Sequence, residues 1–179
     1  MGGRDVEEKI SLKPYIVFTV LTIIVLLFEG SFLPLIFTGG LIPDFLLIIV
    51  ICLAFLWGEK KAIVLGAICG FFQDLFFGPA IGFFTLAKIL AAYFSGLTSK
   101  EIYKDQVIGP MLTVFLATFL HEFVVYFLQW LFWGNRFSFF YALDRLFLPR
   151  ALYHLALTAL IYPLLYRAEK IGFFNPFFS

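Results

Sequence analysis

The sequence predicts an all-α membrane protein with six transmembrane helices, short loops and both termini in the cytoplasm. Three observations carry that prediction. The 179 residues are 62% hydrophobic and only 14% charged, with a mean hydropathy of +0.98, whereas soluble domains sit nearer half apolar and a quarter charged. The apolar residues fall into six runs close to the ~20 residues that cross a ~30 Å hydrocarbon core. Lys and Arg gather on one side of those runs. The apolar surplus has to face lipid, and the 26 Phe residues suit that surface. A net charge of +1 exerts no long-range pull on nucleic acid, which is excluded as a partner.

Taken in order, the spans are 15–37, 41–57, 62–77, 80–98, 107–133 and 146–166. The second and third are short, and the fifth is long enough to tilt. Gly, Pro and charged residues separate them, in "TGGLIPD", "WGEKK", "FFGPAIG", "TSKEIYKDQ" and "GNRFSFFYALDR". Residues 1–14 read as a cytoplasmic tail, 15–167 as the transmembrane domain and 168–179 as a second cytoplasmic tail. The polar head and the lack of a small-residue cleavage site argue against a signal peptide. "MGGRDV" lacks the Ser or Thr of a myristoylation motif. Loops this brief leave no room for an extramembrane catalytic domain.

With the N-terminus inside, Arg4, Lys9, Lys13, Lys60, Lys61, Lys100, Lys104, Arg167 and Lys170 are cytoplasmic, and Arg136, Arg145 and Arg150 lie outside. Nine against three sets the orientation. Tyr15, Trp57, Tyr103 and Tyr166 fall at inner ends, and Trp130, Trp133 and Tyr141 at outer ends, as interfacial anchors do. Cys52 and Cys69 lie inside apolar runs and read as small buried hydrophobes.

Polar residues within the spans are the informative ones. In "GAICGFFQDLFF", Ala62, Gly66, Gly70 and Asp74 share one helix face. Small residues four apart let a second backbone approach closely in lipid. Ala87, Ala91 and Ser95 repeat the device on the fourth span. These stripes either close the bundle by facing each other or, if one faces lipid, receive a partner helix. Asp74 and Lys88 reach matching depth if the turn between their helices centres near Ile81. A lone intramembrane charge costs ~2.5–3.5 kcal/mol on insertion scales, so an Asp74–Lys88 ion pair is expected. Ligand or proton work, or a partner contact, are the other roles open to Asp74. Glu29, Arg150 and His154, with Asp74 and Lys88, form a candidate polar cluster in the outer leaflet; Arg150 and His154 share a helix face.

Catalytic and cofactor motifs are missing from this pattern. His121 and Glu122 open "HEFVV", but a zinc protease needs His where Val125 stands. No Ser-His-Asp arrangement, Cys-His pair, same-helix carboxylate pair or phosphate loop is present. The expectation is a non-enzymatic protein with no cofactor and no metal.

The stretch "LIPDFLLIIVICLAFLWGEKKAIVLGAICGFFQDLFFGPAIGFFTLAKILAAYFSG" resembles the bacterial rod shape-determining protein MreD family. The matching positions are Pro43, Asp44, Gly66, Gly70, Asp74, Gly78, Gly82, Tyr93 and Gly96. "FEGSFLP" is similar to the family's first-helix end, with Glu29 where an amide is common. The resemblance covers roughly 15–167 and is strongest over 41–98. It implies a non-enzymatic inner-membrane scaffold of the cell-elongation (rod) complex that supports lateral peptidoglycan synthesis. The implied partners are MreC and, through it, MreB, RodA and a class B penicillin-binding protein, with membrane lipid around the bundle. The implied fold is similar to the S component of energy-coupling-factor transporters. A rival from another class is a small-molecule, vitamin-type uptake component. That rival calls for a convergent, water-accessible polar cavity; a scaffold calls for a lipid-exposed groove.

Overall fold

The computed structural model describes residues 13–36, 41–99, 104–134, 137–172 and 174, with the backbone alone for 13–18. Residues 1–12 of the expected first tail, with Arg4 and Lys9, lie outside it, as do Lys100, Tyr103, Arg136 and residues 173 and 175–179 of the expected last stretch. Every regular element among the described residues is helical. In chain order these are α1 (Lys13–Ser31), α2 (Leu33–Ile36), α3 (Phe45–Trp57), α4 (Glu59–Phe77), α5 (Phe83–Thr98), α6 (Ile108–Trp133), α7 (Phe139–Ala142), a π turn (Leu143–Phe147) and α8 (Leu148–Lys170).

Three segments are long and apolar enough to cross a bilayer: Thr19–Ile36, Ile108–Trp133 and Phe139–Lys170. Helices α3 and α5 are apolar but shorter, at 13 and 16 residues. The remaining bounds differ from the expected spans in physically informative ways. Helix α4 begins at Glu59 because Gly58, at φ 85°, ends α3 and starts α4 at one residue. The basic turn of Lys60 and Lys61 is therefore the first turn of a 19-residue helix. Helix α8 runs through Lys170, into the stretch expected to be a tail.

Helix α3 is the axis of the bundle. Its sequence, FLLIIVICLAFLW, is apolar all round, and ten of its thirteen residues are buried. A helix with no polar stripe is stable only when surrounded. Helices α4, α5, α6 and α8 surround it, closing on a core that includes Leu47, Ile51, Phe55, Leu65, Ala91 and Tyr162. Outward-facing positions remain apolar, as at Ile24, Phe76, Leu116, Phe123 and Leu160, which are all exposed. That inversion belongs to a protein solvated by lipid.

The tightest seam lies between α4 and α5. A Cβ placed on Gly70 would sit 2.4 Å from the Thr85 Cα, and one on Gly66 would sit 2.8 Å from the Lys88 carbonyl oxygen. Ala62, Ala87 and Ala91 are fully buried. The stripes are thus turned into the bundle, though not onto each other: the α4 glycines pack on the α5 backbone at 84–89, and Ser95 of the α5 stripe donates to the Ile51 carbonyl of α3 at 2.8 Å. They are not the partner-binding surface that either stripe offered if it faced lipid. Gly96 repeats the device where α5 passes the start of α4, its Cβ position 2.6 Å from Glu59 backbone.

Polar pins hold the end of the bundle that carries Trp57. Lys104 donates to the Leu56 carbonyl at 2.7 Å, the Tyr162 hydroxyl donates to the Lys104 carbonyl at 2.7 Å, and Trp57 Nε1 donates to Glu169 Oε2 at 2.9 Å. Tyr166 also donates to Asp105.

Candidate functional site

At the opposite end, the polar residues of five helices and one extended segment converge. The segment is 41–44, which leads into α3 after Pro43. Asp44 caps α3, its Oδ1 accepting the Leu47 N–H at 2.5 Å. Asp at this position satisfies one of the donors a helix start leaves open. Its other oxygen, Oδ2, accepts from Lys88 Nζ at 2.7 Å and from Gln73 Nε2 at 3.0 Å. One carboxylate therefore ties α3 to α4 and α5.

This corrects the expected Asp74–Lys88 pair. Lys88, fully buried, reaches across to Asp44 on α3. Asp74 serves the start of α5 instead. Its carboxylate accepts the backbone N–H groups of Gly82, Phe84 and Thr85 at 2.8, 2.7 and 3.0 Å, and the Thr85 hydroxyl at 2.6 Å. Unmet backbone donors are costly inside lipid, and a negative charge at a helix N-terminus also complements the helix dipole. The left-handed backbone of Gly82, φ 107°, aims its N–H at Asp74. Asp74 is thus an intramolecular cap reached from eight residues upstream.

Helices α6 and α8 supply a second pair. Arg150 Nη1 donates to Glu122 Oε2 at 2.7 Å, while Glu122 Oε1 faces His121 Nδ1 at 3.4 Å. The His121 ring stacks on Phe84 of α5, centroids 6.1 Å apart and nearly parallel. His154, fully buried, links α8 to α3. Its Nε2 accepts the Asp44 backbone N–H at 3.0 Å, so the ring proton resides on Nδ1 and is donated to Thr118 Oγ1 at 2.9 Å. Thr118 passes its own proton to the Val114 carbonyl at 2.7 Å. His154 is therefore a neutral structural connector with both nitrogens engaged.

Glu29, near the end of α1, accepts the Leu46 N–H at 2.7 Å and so adds a second carboxylate to the start of α3. Of the candidate polar cluster, Glu29 and Arg150 line one shared cavity, His154 stands behind it through Asp44, and Asp74 and Lys88 are absent from its wall. The cavity measures about 380 Å³. Its polar lining is Glu29, Asp44, Gln73, His121, Glu122 and Arg150, and Pro34, Ile42, Pro43, Phe77 and Phe84 form its apolar walls.

Asp44, Gln73, His121 and Glu122 line the cavity although they lie outside the polar cluster expected from the sequence. The signal for Asp44 was legible: Pro-Asp immediately before an apolar run is a helix-start pattern. Gln73 carried none. Among the described residues, no group of three His, Cys, Asp or Glu side chains has metal-site geometry. Cys52 and Cys69 are buried free thiols.

No curated protein and no solved structure shows a significant match to this chain. The sequence profile of one family, rod shape-determining protein MreD, matches residues 9–168. That match takes in α1 to α7 whole and all but the last two residues of α8, and with them every residue of the cavity wall. The chain is a membrane protein by its long apolar helices and belongs to the MreD family of rod shape-determining proteins.

Proposed function

We propose that this chain is a multi-pass protein of the bacterial inner membrane, with six spans and both termini cytoplasmic, that acts without catalysis as a scaffold of the rod complex, the elongasome. On this reading it binds the transmembrane helix of MreC. Through MreC it is connected to MreB, RodA and a class B penicillin-binding protein, and so supports lateral peptidoglycan synthesis and rod cell shape. The observation that carries the reading is the family match across 9–168. The packing is compatible with it: α6 keeps Leu112, Leu116, Phe123 and Phe127 exposed along one side, where lipid or a bitopic helix can lie.

The test is recovery of partners from solubilised membranes with a tagged copy of the full chain, identified by mass spectrometry. MreC should be enriched, and depletion of the chain should turn rods into rounded cells. Recovery without MreC from cells that make it would overturn the partner assignment. The convergent polar cavity favours a second reading, a vitamin-type uptake component. Reduced uptake of a small molecule in depleted cells, with shape unchanged, would establish that reading in place of the first.

A further inference from the structure

The cavity contains one more carboxylate than the cations that reach it. Asp44 is met by Lys88 and Glu122 by Arg150, each at 2.7 Å. Glu29 is 7% exposed and has no cation within ion-pair distance among the described residues; its carboxylate receives the Leu46 backbone N–H. Three further polar atoms of the wall are buried without a hydrogen-bond partner: Gln73 Oε1, His121 Nε2 and Arg150 Nε. Gln73 and His121 are 6% and 2% exposed. Buried polar atoms are almost always satisfied, so three unmet atoms on one wall need a common explanation.

The three atoms and Glu29 ask for different things. Gln73 Oε1 and Glu29 need a donor, best a positive one. Arg150 Nε needs an acceptor. His121 Nε2 is left as an acceptor, since its Nδ1–H faces the Glu122 carboxylate. A purely anionic ligand would meet Glu29, Asp44 and Glu122. A purely cationic one would leave Arg150 Nε–H unmet. Water could fill the space, at ~30 Å³ a molecule, and is the occupant that the binding test below sets against a ligand. The apolar walls of Pro34, Ile42, Phe77 and Phe84 suit a short carbon chain between two polar ends.

We infer that this cavity binds a small zwitterion carrying a protonated amine and an oxyanion, the amine directed to Glu29 and Gln73 and the oxyanion to Arg150. Both a free amino-acid-sized molecule and the ethanolamine phosphate headgroup of a lipid have this chemistry. The inference does not depend on the partner reading, because its test uses the purified chain alone.

The first arm measures thermal unfolding of the full chain in detergent with O-phosphoethanolamine, glycine, ethanolamine or inorganic phosphate. A zwitterion should raise the Tm in a saturable way, with at least tenfold tighter apparent binding than ethanolamine or phosphate. The second arm places the chain in nanodiscs of mixed phosphatidylethanolamine and phosphatidylglycerol and counts retained lipid by native mass spectrometry. A soluble ligand acts in the first arm, and a headgroup is retained in the second. Glu29→Gln keeps an acceptor for the Leu46 N–H but removes the charge, and Arg150→Lys keeps a cation for Glu122 but removes Nε–H. Each should weaken binding at least tenfold; if one fails to fold, the other decides. No zwitterion-dependent shift together with no preference for phosphatidylethanolamine would overturn the proposal. So would binding undiminished in the folded variants.

Discussion

Lys88 Nζ and Asp44 Oδ2 meet at 2.7 Å across helices separated in the chain by the whole of α4, and the lysine end of the pair is fully buried. The same oxygen accepts from Gln73, and the same residue caps α3. Burying a charge in lipid is tolerable only with such partners. The pair therefore acts as the junction of α3, α4 and α5.

Removing one member leaves the other charged and unmatched. Asp44→Asn or Lys88→Met should each destabilise the fold by about 3–5 kcal/mol, the usual cost of breaking a buried pair. The double variant should recover part of that loss, read by thermal unfolding in detergent. Additive single effects would remove the coupling.

Asp74 should behave as a cap independent of Lys88. Asp74→Ala is expected to cost about 2 kcal/mol, the upper end for a lost cap, because several donors are released together. Amide hydrogen exchange at Gly82, Phe84 and Thr85 should accelerate selectively. Combining Asp74→Ala with Lys88→Met should give effects additive within ~0.5 kcal/mol; strong coupling would restore the Asp74–Lys88 pair.

The glycines of α4 should report on the fold rather than on a partner. Gly70→Ala places its Cβ 2.4 Å from the Thr85 Cα, and Gly66→Ala places its own 2.8 Å from the Lys88 carbonyl. Both neighbours are backbone and cannot swing away. Overpacking typically costs about 1–3 kcal/mol, and Gly70→Ala should be the worse. Size-exclusion profiles should show loss of monodisperse protein in that order. A well-folded Gly70→Leu variant would contradict the packing.

Topology is testable by cysteine accessibility. A thiol-reactive, membrane-impermeant label should reach Lys60→Cys only after the cytoplasmic face is opened, and should reach Asn135→Cys in intact spheroplasts. Labelling of Lys60→Cys from outside would invert the orientation drawn from the Lys and Arg asymmetry.

Much of the cavity was foreshadowed by the oddity of its residues. Glu29, Arg150 and His154 are conspicuous in apolar surroundings, and all three lie at or beside it. Their contacts were not legible. Arg150 engages Glu122, four turns into α6, and His154 engages a backbone N–H. A hydrogen bond to main chain leaves no trace in residue identity. The Asp74–Lys88 expectation failed for the same reason: depth on adjacent helices can be counted along the chain, but the donors at the α5 start compete for Asp74 and win through several short bonds.

The sequence by itself determined an all-helical membrane protein, because hydropathy and run length alone decide which segments can leave water. It also determined that α4 and α5 can pack closely, since glycine and alanine at four-residue spacing leave one helix face bare. The tertiary structure alone decided that the glycine face of α4 meets the α5 backbone while Ser95 of the α5 stripe turns to α3, that Lys88 turns to Asp44, and that one cavity gathers polar atoms from α1, α4, α6 and α8. The physical reason is rotational: spacing along a helix fixes which residues share a face, while the direction that face points depends on the packing of every neighbouring helix.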